Sequence, residues 1–130
     1  MKLKHVGLVS RSEENADRFL RDVLGLKKSE PKTLSRELCR SIFDEDRELT
    51  MVNYTDDSVQ FEVFIDSRHP GKMRQVEHVC LEVEDMRAFL ESCGRAGVST
   101  RQVSRGDSLL VFVRDADGNL FEIKEKKPGA

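Results

Sequence analysis

An internal duplication constrains this chain more than any other feature of its sequence. Each half opens with a short apolar run that contains a histidine: LKHVGLV holds His5, and VEHVCLEV holds His78. Each half closes on phenylalanine-glutamate-aliphatic, which places Glu62 and Glu122. An order of elements that occurs twice indicates two copies of one supersecondary unit sharing a core.

Length and charge narrow the possible classes of protein. The chain has 130 residues and a formal net charge of -2, from 22 basic and 24 acidic residues. These charges are interspersed, which gives no electrostatic basis for binding nucleic acid or a membrane surface. No apolar run approaches the roughly 20 residues of a membrane-spanning helix. Three cysteines without paired spacing indicate free thiols in a reducing cytoplasm.

Apolar periodicity predicts the order β-α-β-β-β in both halves. Helices are expected over Glu13–Leu24, after a capping-box-like pair of Ser10 and Glu13, and from Asp85 to near Ala96. A glycine follows each helix, where a left-handed cap would end it. The predicted strands and extended segments are Leu3–Val9, Lys27–Glu30, a segment within Leu34–Phe43, Leu49–Tyr54, Val59–Ile65, Val76–Val83, Val98–Val103, Leu109–Arg114 and Leu120–Lys124. Eight short strands and two helices predict one α+β domain over 1–130, built of module 1–66 and module 73–126 around the linker Ser67–Lys72.

Strand alternation places the four repeated side chains on one kind of surface. Neighbouring strand residues point to opposite faces, so both histidines and both glutamates lie opposite the apolar face under the helices. If the two sheets come together as a duplication indicates, the four side chains converge in one cleft. Two imidazoles and two carboxylates suit one divalent metal ion: nickel, cobalt, zinc, manganese or iron. Open positions on such an ion are typical of catalytic sites.

The remaining metal-binding residue types have plainer interpretations. His69 lies in the linker and is expected to be an ordinary surface residue. Cys80 shares a strand face with the second histidine, but its repeat counterpart is Gly7, so we expect a small residue that lines the cleft. Cys93 lies on the apolar stripe of a helix and is expected in the core, and Cys39 remains undecided.

The same segments resemble the vicinal-oxygen-chelate superfamily, which includes the glyoxalases, fosfomycin-resistance proteins, extradiol dioxygenases and methylmalonyl-CoA epimerases. The resemblance covers nearly the whole chain and rests on LKHVGLV, VQFEVFI, VEHVCLEV and FVRDADGNLFEIKE. The last segment is the most specific, because an Asp-x-Asp-Gly turn before apolar-glutamate-apolar is the family's usual final hairpin. The resemblance implies a glyoxalase-like fold, in which paired modules form a curved eight-stranded, mixed or antiparallel cleft with the helices outside. It also implies a divalent metal in the cleft, a small-molecule substrate and usually a homodimer.

By the same resemblance, His5, Glu62, His78 and Glu122 match the metal-ligand positions, and the set is similar to that of glyoxalase I (lactoylglutathione lyase). That enzyme class implies a lyase or isomerase that moves a proton through a metal-bound enediolate, with Glu122 or Glu62 as the base. Glyoxalases bind the glutathione carboxylates through arginine and asparagine side chains. The residues available for this are Arg36, Arg40, Asn53, Arg101 and Arg105, of which we name Arg36, Arg40, Asn53 and Arg105 as candidates.

Other activities remain open at this stage. Methylmalonyl-CoA epimerases share the proton-transfer chemistry. An Fe(II) dioxygenase of the extradiol type would use His5, His78 and Glu122 as its ligands. Bleomycin-resistance proteins share the fold, bind their drug and usually lack the metal ligands. The sequence also leaves open whether one cleft takes its ligands from one chain or from two.

Overall fold

Two mixed sheets with helices against them make up the structure, a computed structural model that describes residues 2–71 and 76–129. The end of the predicted linker at Lys72 and the first three residues of the predicted module 73–126 lie outside the described residues. The elements are β1 (Val6–Ser10), α1 (Glu13–Ala16) continuing as a π-helix (Asp17–Val23), β2 (Lys27–Lys28), β3 (Lys32–Leu34), α2 (Arg36–Phe43), β4 (Leu49–Thr55), β5 (Gln60–Ile65), β6 (Val79–Val83), α3 (Met86–Ala96), β7 (Thr100–Arg105), β8 (Ser108–Arg114) and β9 (Leu120–Glu125). None of the helices in this described part is long and apolar enough to cross a membrane.

The first helix begins at a serine cap. Ser12 Oγ accepts a hydrogen bond from the backbone N of Asn15 at 3.1 Å, which satisfies one of the free N–H groups of the first turn. The predicted cap at Ser10 is wrong, because Ser10 is buried and donates its hydroxyl to Asp117 instead. The predicted extent of the helix is close to the observed one, although its second part from Asp17 is π-helical.

The segment after β3 is a helix, so the strand predicted within Leu34–Phe43 is wrong over most of its length. Ser35 Oγ accepts a hydrogen bond from the backbone N of Leu38 at 3.1 Å and caps α2. The helix ends at Asp44, which adopts the left-handed conformation at φ 56°. Cys39, undecided from the sequence, belongs to α2 and is fully buried.

Each half builds its own sheet, and the two sheets repeat one topology. The first sheet has the order β1-β5-β4-β2, with β3 also paired to β4. The second sheet has the order β6-β9-β8-β7. In each sheet the opening strand runs parallel to the closing strand, β1 to β5 and β6 to β9, and the other pairs are antiparallel. The described residues thus hold nine strands, five in the first sheet and four in the second.

One core joins both halves. The ring of Phe19 from the first helix lies 4.8 Å from the ring of Phe121 in β9, and Phe61 in β5 lies 6.0 Å from the same ring. All three rings are buried, and the first helix also packs on α3. Close-packed aromatic contacts of this kind stabilise the two sheets as one folding unit.

A buried polar contact also ties the halves together. Asp117, in the turn between β8 and β9, accepts hydrogen bonds from Ser10 Oγ at 2.7 Å and from the backbone N and Nε of Arg11, both at 2.9 Å. Asn119 Nδ2 donates to Val9 O at 3.2 Å and to Asp115 Oδ2 at 2.7 Å. The end of β1 is therefore fixed against the final hairpin of the other half.

Candidate metal centre

The first histidine-glutamate pair forms where β1 runs beside β5. Register pairs Gly7 with Glu62, so the glutamate lies next to the start of β1. His5, one residue before that strand, has its Nε2 3.3 Å from Glu62 Oε1. Phe61 and Val63 on either side of this glutamate are buried, so strand alternation turns Glu62 away from the core. Its side chain remains 22% exposed and His5 is 44% exposed, which leaves the pair open to a ligand from solvent.

The second pair forms at the equivalent place in the second sheet. Register pairs Cys80 of β6 with Glu122 of β9, and His78 lies one residue before β6. His78 Nε2 lies 3.4 Å from Glu122 Oε1, and the two side chains are 46% and 15% exposed. Lys124 Nζ lies 3.9 Å from Glu122 Oε2, and the ring of Phe112 meets the imidazole of His78 edge-on at 6.3 Å. Glu122 is thus more enclosed than Glu62, whereas the two histidines are similarly exposed.

The two pairs stay apart within one chain. Among residues 2–71 and 76–129, no three or more His, Cys, Asp or Glu side chains come close enough together to hold a metal ion. The donor types fit a divalent metal, since imidazole and carboxylate are its common ligands. The number of donors at either place in one chain is two, fewer than the three or four that metal centres in proteins take.

The residues beside each glutamate differ between the sheets. In the first sheet, register aligns Gly7, Glu62 and Asn53 across β1, β5 and β4. Asn53, a predicted substrate-binding residue, therefore lies beside the first pair, and its Oδ1 accepts a hydrogen bond from Gln60 Nε2 at 3.2 Å. Helix α2 stands near this face, because the ring of Phe43 packs edge-on against Phe64 at 5.1 Å.

In the second sheet the equivalent row is longer. Register aligns Cys80, Glu122, Phe112 and Arg101 across β6, β9, β8 and β7. We call these four residues the Glu122 row. Phe112 occupies the position that Asn53 has in the first sheet, and Arg101 comes next to it.

The three arginines named as candidates lie away from the pairs or are already engaged. Arg36 Nε lies 3.7 Å from Asp46 Oδ1, and Arg40 hydrogen-bonds to the same carboxylate. Both therefore point along the exposed side of α2 toward Asp46. Arg105 lies at the far end of β7, opposite Ser108 in register. Arg101, which the sequence offered but which we did not name, is the arginine that register brings toward Glu122.

The other candidate donors have structural surroundings. His69 accepts a hydrogen bond at Nδ1 from the backbone N of Gly71 at 3.0 Å, in agreement with the prediction that it is an ordinary linker residue. Cys93 is buried in the core as predicted, and burial raises the pKa of its thiol to about 11. Cys80 is exposed beside Glu122. The residue is exposed as a whole, but its thiol is partly buried. This partial burial, together with the charge of Glu122, raises the pKa of the Cys80 thiol, so the side chain is neutral at pH 7.

Solved structures share this fold at low sequence identity. A glyoxalase family protein from Enterococcus faecalis is 15% identical, with 94% of this chain and 95% of that chain covered and a TM-score of 0.71. The fosfomycin resistance protein FosX from Listeria monocytogenes is 14% identical, with 98% and 95% covered and a TM-score of 0.71. A mutant of the Listeria protein, determined with Mn(II) and 1S,2S-dihydroxypropylphosphonic acid, is 13% identical, with 95% and 88% covered and a TM-score of 0.69. At such identities the likeness shows the fold.

The family is shown by the sequence itself. No individually curated protein matches the chain. The family model described as Glyoxalase/Bleomycin resistance protein/Dioxygenase superfamily matches residues 2–123, nearly the whole chain. Both histidine-glutamate pairs fall within that match, in the two repeated sheets of a glyoxalase-like fold. The chain belongs to the glyoxalase/bleomycin resistance protein/dioxygenase superfamily.

Proposed function

We propose that the protein is a metal-dependent enzyme in which His5, Glu62, His78 and Glu122 hold one divalent ion per site. The observation that carries this is the equivalence of the two pairs, with His Nε2 and Glu Oε1 3.3 Å apart in one sheet and 3.4 Å apart in the other. A surface histidine without a shared role is not expected beside a glutamate at the equivalent position of both sheets. The Mn(II) in the Listeria FosX structure supports a divalent ion in this fold.

We further propose that two copies of the chain complete each site. One chain brings only two donors together at either place, whereas a homodimer could set the first pair of one copy against the second pair of the other. A two-fold dimer would contain two such sites. The two-module division, 1–66 and 73–126, is part of this proposal, because each sheet draws its strands from one module. The three free thiols support a cytoplasmic location.

The reaction that we propose is a proton transfer between adjacent carbons, as in a lyase or isomerase of the lactoylglutathione lyase type. A bound ion would supply Lewis-acid polarisation of two neighbouring substrate oxygens. Glu122 is the base that we favour, because it is the less exposed of the two glutamates. A carboxylate oxygen placed there would remove a proton from one carbon and return it to the next, and a general base of this kind contributes about 10²–10⁴-fold. Glu62, whose side chain is 22% exposed, is the alternative base.

The first test is the metal content of the purified protein, followed by stripping and reloading with nickel, cobalt, zinc, manganese or iron. Activity would be measured with methylglyoxal and glutathione. About one ion per chain with restored turnover would support the proposal in full. One ion without this turnover would keep the site and redirect the search to epimerase, fosfomycin and dioxygenase substrates. Failure to bind any of these ions would refute the proposal and favour a metal-free binding protein.

A subunit-mixing experiment tests the sharing of the site. One copy carries His5→Ala with Glu62→Ala, the other carries His78→Ala with Glu122→Ala, and two affinity tags isolate the mixed dimer. If sites are shared, one of the two sites in this dimer is intact, and it should hold about half the wild-type metal. If each site belonged to one chain, the mixed dimer would hold none. The dimers of each variant alone serve as controls and should hold none in either case.

The role of Glu122 can be separated from metal binding. Glu122→Gln keeps an oxygen ligand but removes the base, so it should abolish turnover more severely than it weakens metal binding. Equal losses of both would show that Glu122 only holds the ion.

A further inference from the structure

We propose that the second sheet carries a substrate groove next to Glu122, and that Arg101 there binds a carboxylate at the end of an apolar substrate segment. The inference deepens the proposed function and rests on it, since the groove adjoins the second histidine-glutamate pair. It assigns a substrate class: a small molecule whose reacting oxygens and anionic end are separated by an apolar stretch.

The register of the second sheet carries the first part of the inference. Glu122 pairs with Phe112, and Phe112 pairs with Arg101. The buried residues of β8 are Val111 and Val113, so Phe112 lies on the opposite face from the core, the face that Glu122 shares. Adjacent strands are roughly 4.8 Å apart, which puts the backbone of Arg101 about 10 Å from that of Glu122. Phe112 therefore stands between Glu122 and Arg101 in the register of the sheet.

A groove lies at the Arg101 end of the Glu122 row. It has a volume of about 360 Å³ and is lined by Arg101, Val103, Phe112, Arg114 and Leu120, among others. Phe112, Val103 and Leu120 give it an apolar floor. The ring of Phe112, which lines the groove, meets the imidazole of His78 edge-on with the ring centroids 6.3 Å apart, so the groove adjoins the second pair.

The charge in the groove is free to bind an anion. Among the described residues, Arg101 makes no ion pair and no side-chain hydrogen bond, whereas Arg114 donates to Gly118 O at 2.7 Å. The arginines of α2 share Asp46. A guanidinium presents paired N–H donors that match a carboxylate, so an exposed, unengaged arginine above an apolar floor fits an apolar carboxylate better than a neutral ligand.

The test uses the metal-free protein, so that failure of metal binding cannot hide the result. The probes are 3-phenylpropanoate and its neutral counterpart 3-phenylpropanamide, titrated while the NMR signals of the Arg101 guanidinium and the Phe112 ring are followed. The acid should bind about fivefold more tightly than the amide and should shift both signals. Arg101→Gln should abolish this preference, whereas Arg87→Gln, the same change at an exposed arginine of α3, should leave it intact.

Three results would overturn the inference. One is equal binding of acid and amide by the wild-type protein. Another is a preference for the acid that survives Arg101→Gln. The third is a change in molar mass on Arg101→Gln, measured by light scattering, which would show that a second copy of the chain covers the groove. If the wild-type protein binds none of the tested metal ions but keeps the acid preference, the proposed function is refuted and the groove stands as a binding site.

Discussion

Removal of the Asp117 carboxylate should cost a large part of the folding free energy. This side chain is 2% exposed and accepts three hydrogen bonds from the other half of the chain, one from Ser10 and two from Arg11. Burial raises the pKa of Asp117, but the hydrogen bonds from Ser10 and Arg11 outweigh burial and leave the pKa below its ordinary value. The carboxylate is therefore charged at pH 7 and depends on those donors.

The expected loss can be worked from what each donor does afterwards in Asp117→Ala. Ser10 can turn its hydroxyl to Ser12 O, 2.8 Å away, and the half-exposed Arg11 side chain regains water. The backbone N–H of Arg11, partly buried, keeps no protein partner in its place. One unsatisfied donor costs about 1–3 kcal/mol, and the lost charged hydrogen bond to Ser10 adds about 1 kcal/mol. We expect Asp117→Ala to lower the free energy of unfolding by about 3 kcal/mol, and Asp117→Asn, which keeps one acceptor, by about half of that.

Urea unfolding followed by far-ultraviolet circular dichroism measures this loss. All variants are compared at one protein concentration, because the stability of the proposed dimer would depend on concentration. Asp57→Ala is the control, because Asp57 is an exposed aspartate in a turn and should change the free energy by less than 0.5 kcal/mol, as is usual at the surface. A loss below about 1 kcal/mol for Asp117→Ala would refute the reasoning, because it would mean that the buried carboxylate contributes no more than a surface pair.

Two further predictions concern backbone conformation and pH. Gly97 ends α3 at φ 69° with nothing within 4 Å of an added Cβ, so Gly97→Ala should lower the free energy of unfolding by about 1 kcal/mol from backbone conformation alone. Gly94→Ala, inside the same helix, should raise it by about 0.5–1 kcal/mol. Thermal or urea unfolding measures both changes, and two changes of the same sign would contradict this prediction. Hydrogen bonds from Arg47 lower the pKa of Asp66 from 3.8 to about 2. The pair therefore stabilises the fold above about pH 4, and this contribution is lost as the pH falls toward 2. Asp66→Asn should make the free energy of unfolding depend less on pH in this range, and an unchanged pH dependence would count against the prediction.

The repeat in the sequence was enough to predict an α+β fold of two equivalent modules, because the apolar pattern of β1, β5, β6 and β9 is local and strong, and the resemblance implied the glyoxalase-like fold. It also predicted that a histidine and a glutamate share a face in each half. Helix α2 was missed, although Ser35 as a cap and the helical spacing of Leu38, Cys39, Ile42 and Phe43 were available signals. A short apolar run reads equally well as strand or helix until its cap is recognised.

The details of the site depend on long-range pairing, which the sequence does not contain. Arg101 and Arg105 alternate onto the same face of β7, and only register shows which of them lies opposite Phe112. The turn of Arg36 and Arg40 toward Asp46 follows from the helix that was not predicted. The separation of the two pairs within one chain depends on how the sheets pack, and strand alternation says nothing about that.

The placement of each glutamate between two core residues has an evolutionary consequence. Phe61 and Val63 hold β5 in the interior while Glu62 points outward, so the outward positions can mutate at little cost to folding. Duplication then yields two such surfaces that can diverge independently. They have already done so here, with Asn53 beside one glutamate and Phe112 beside the other. Selection on such a chain can explore new ligands while the interior that keeps it folded stays unchanged.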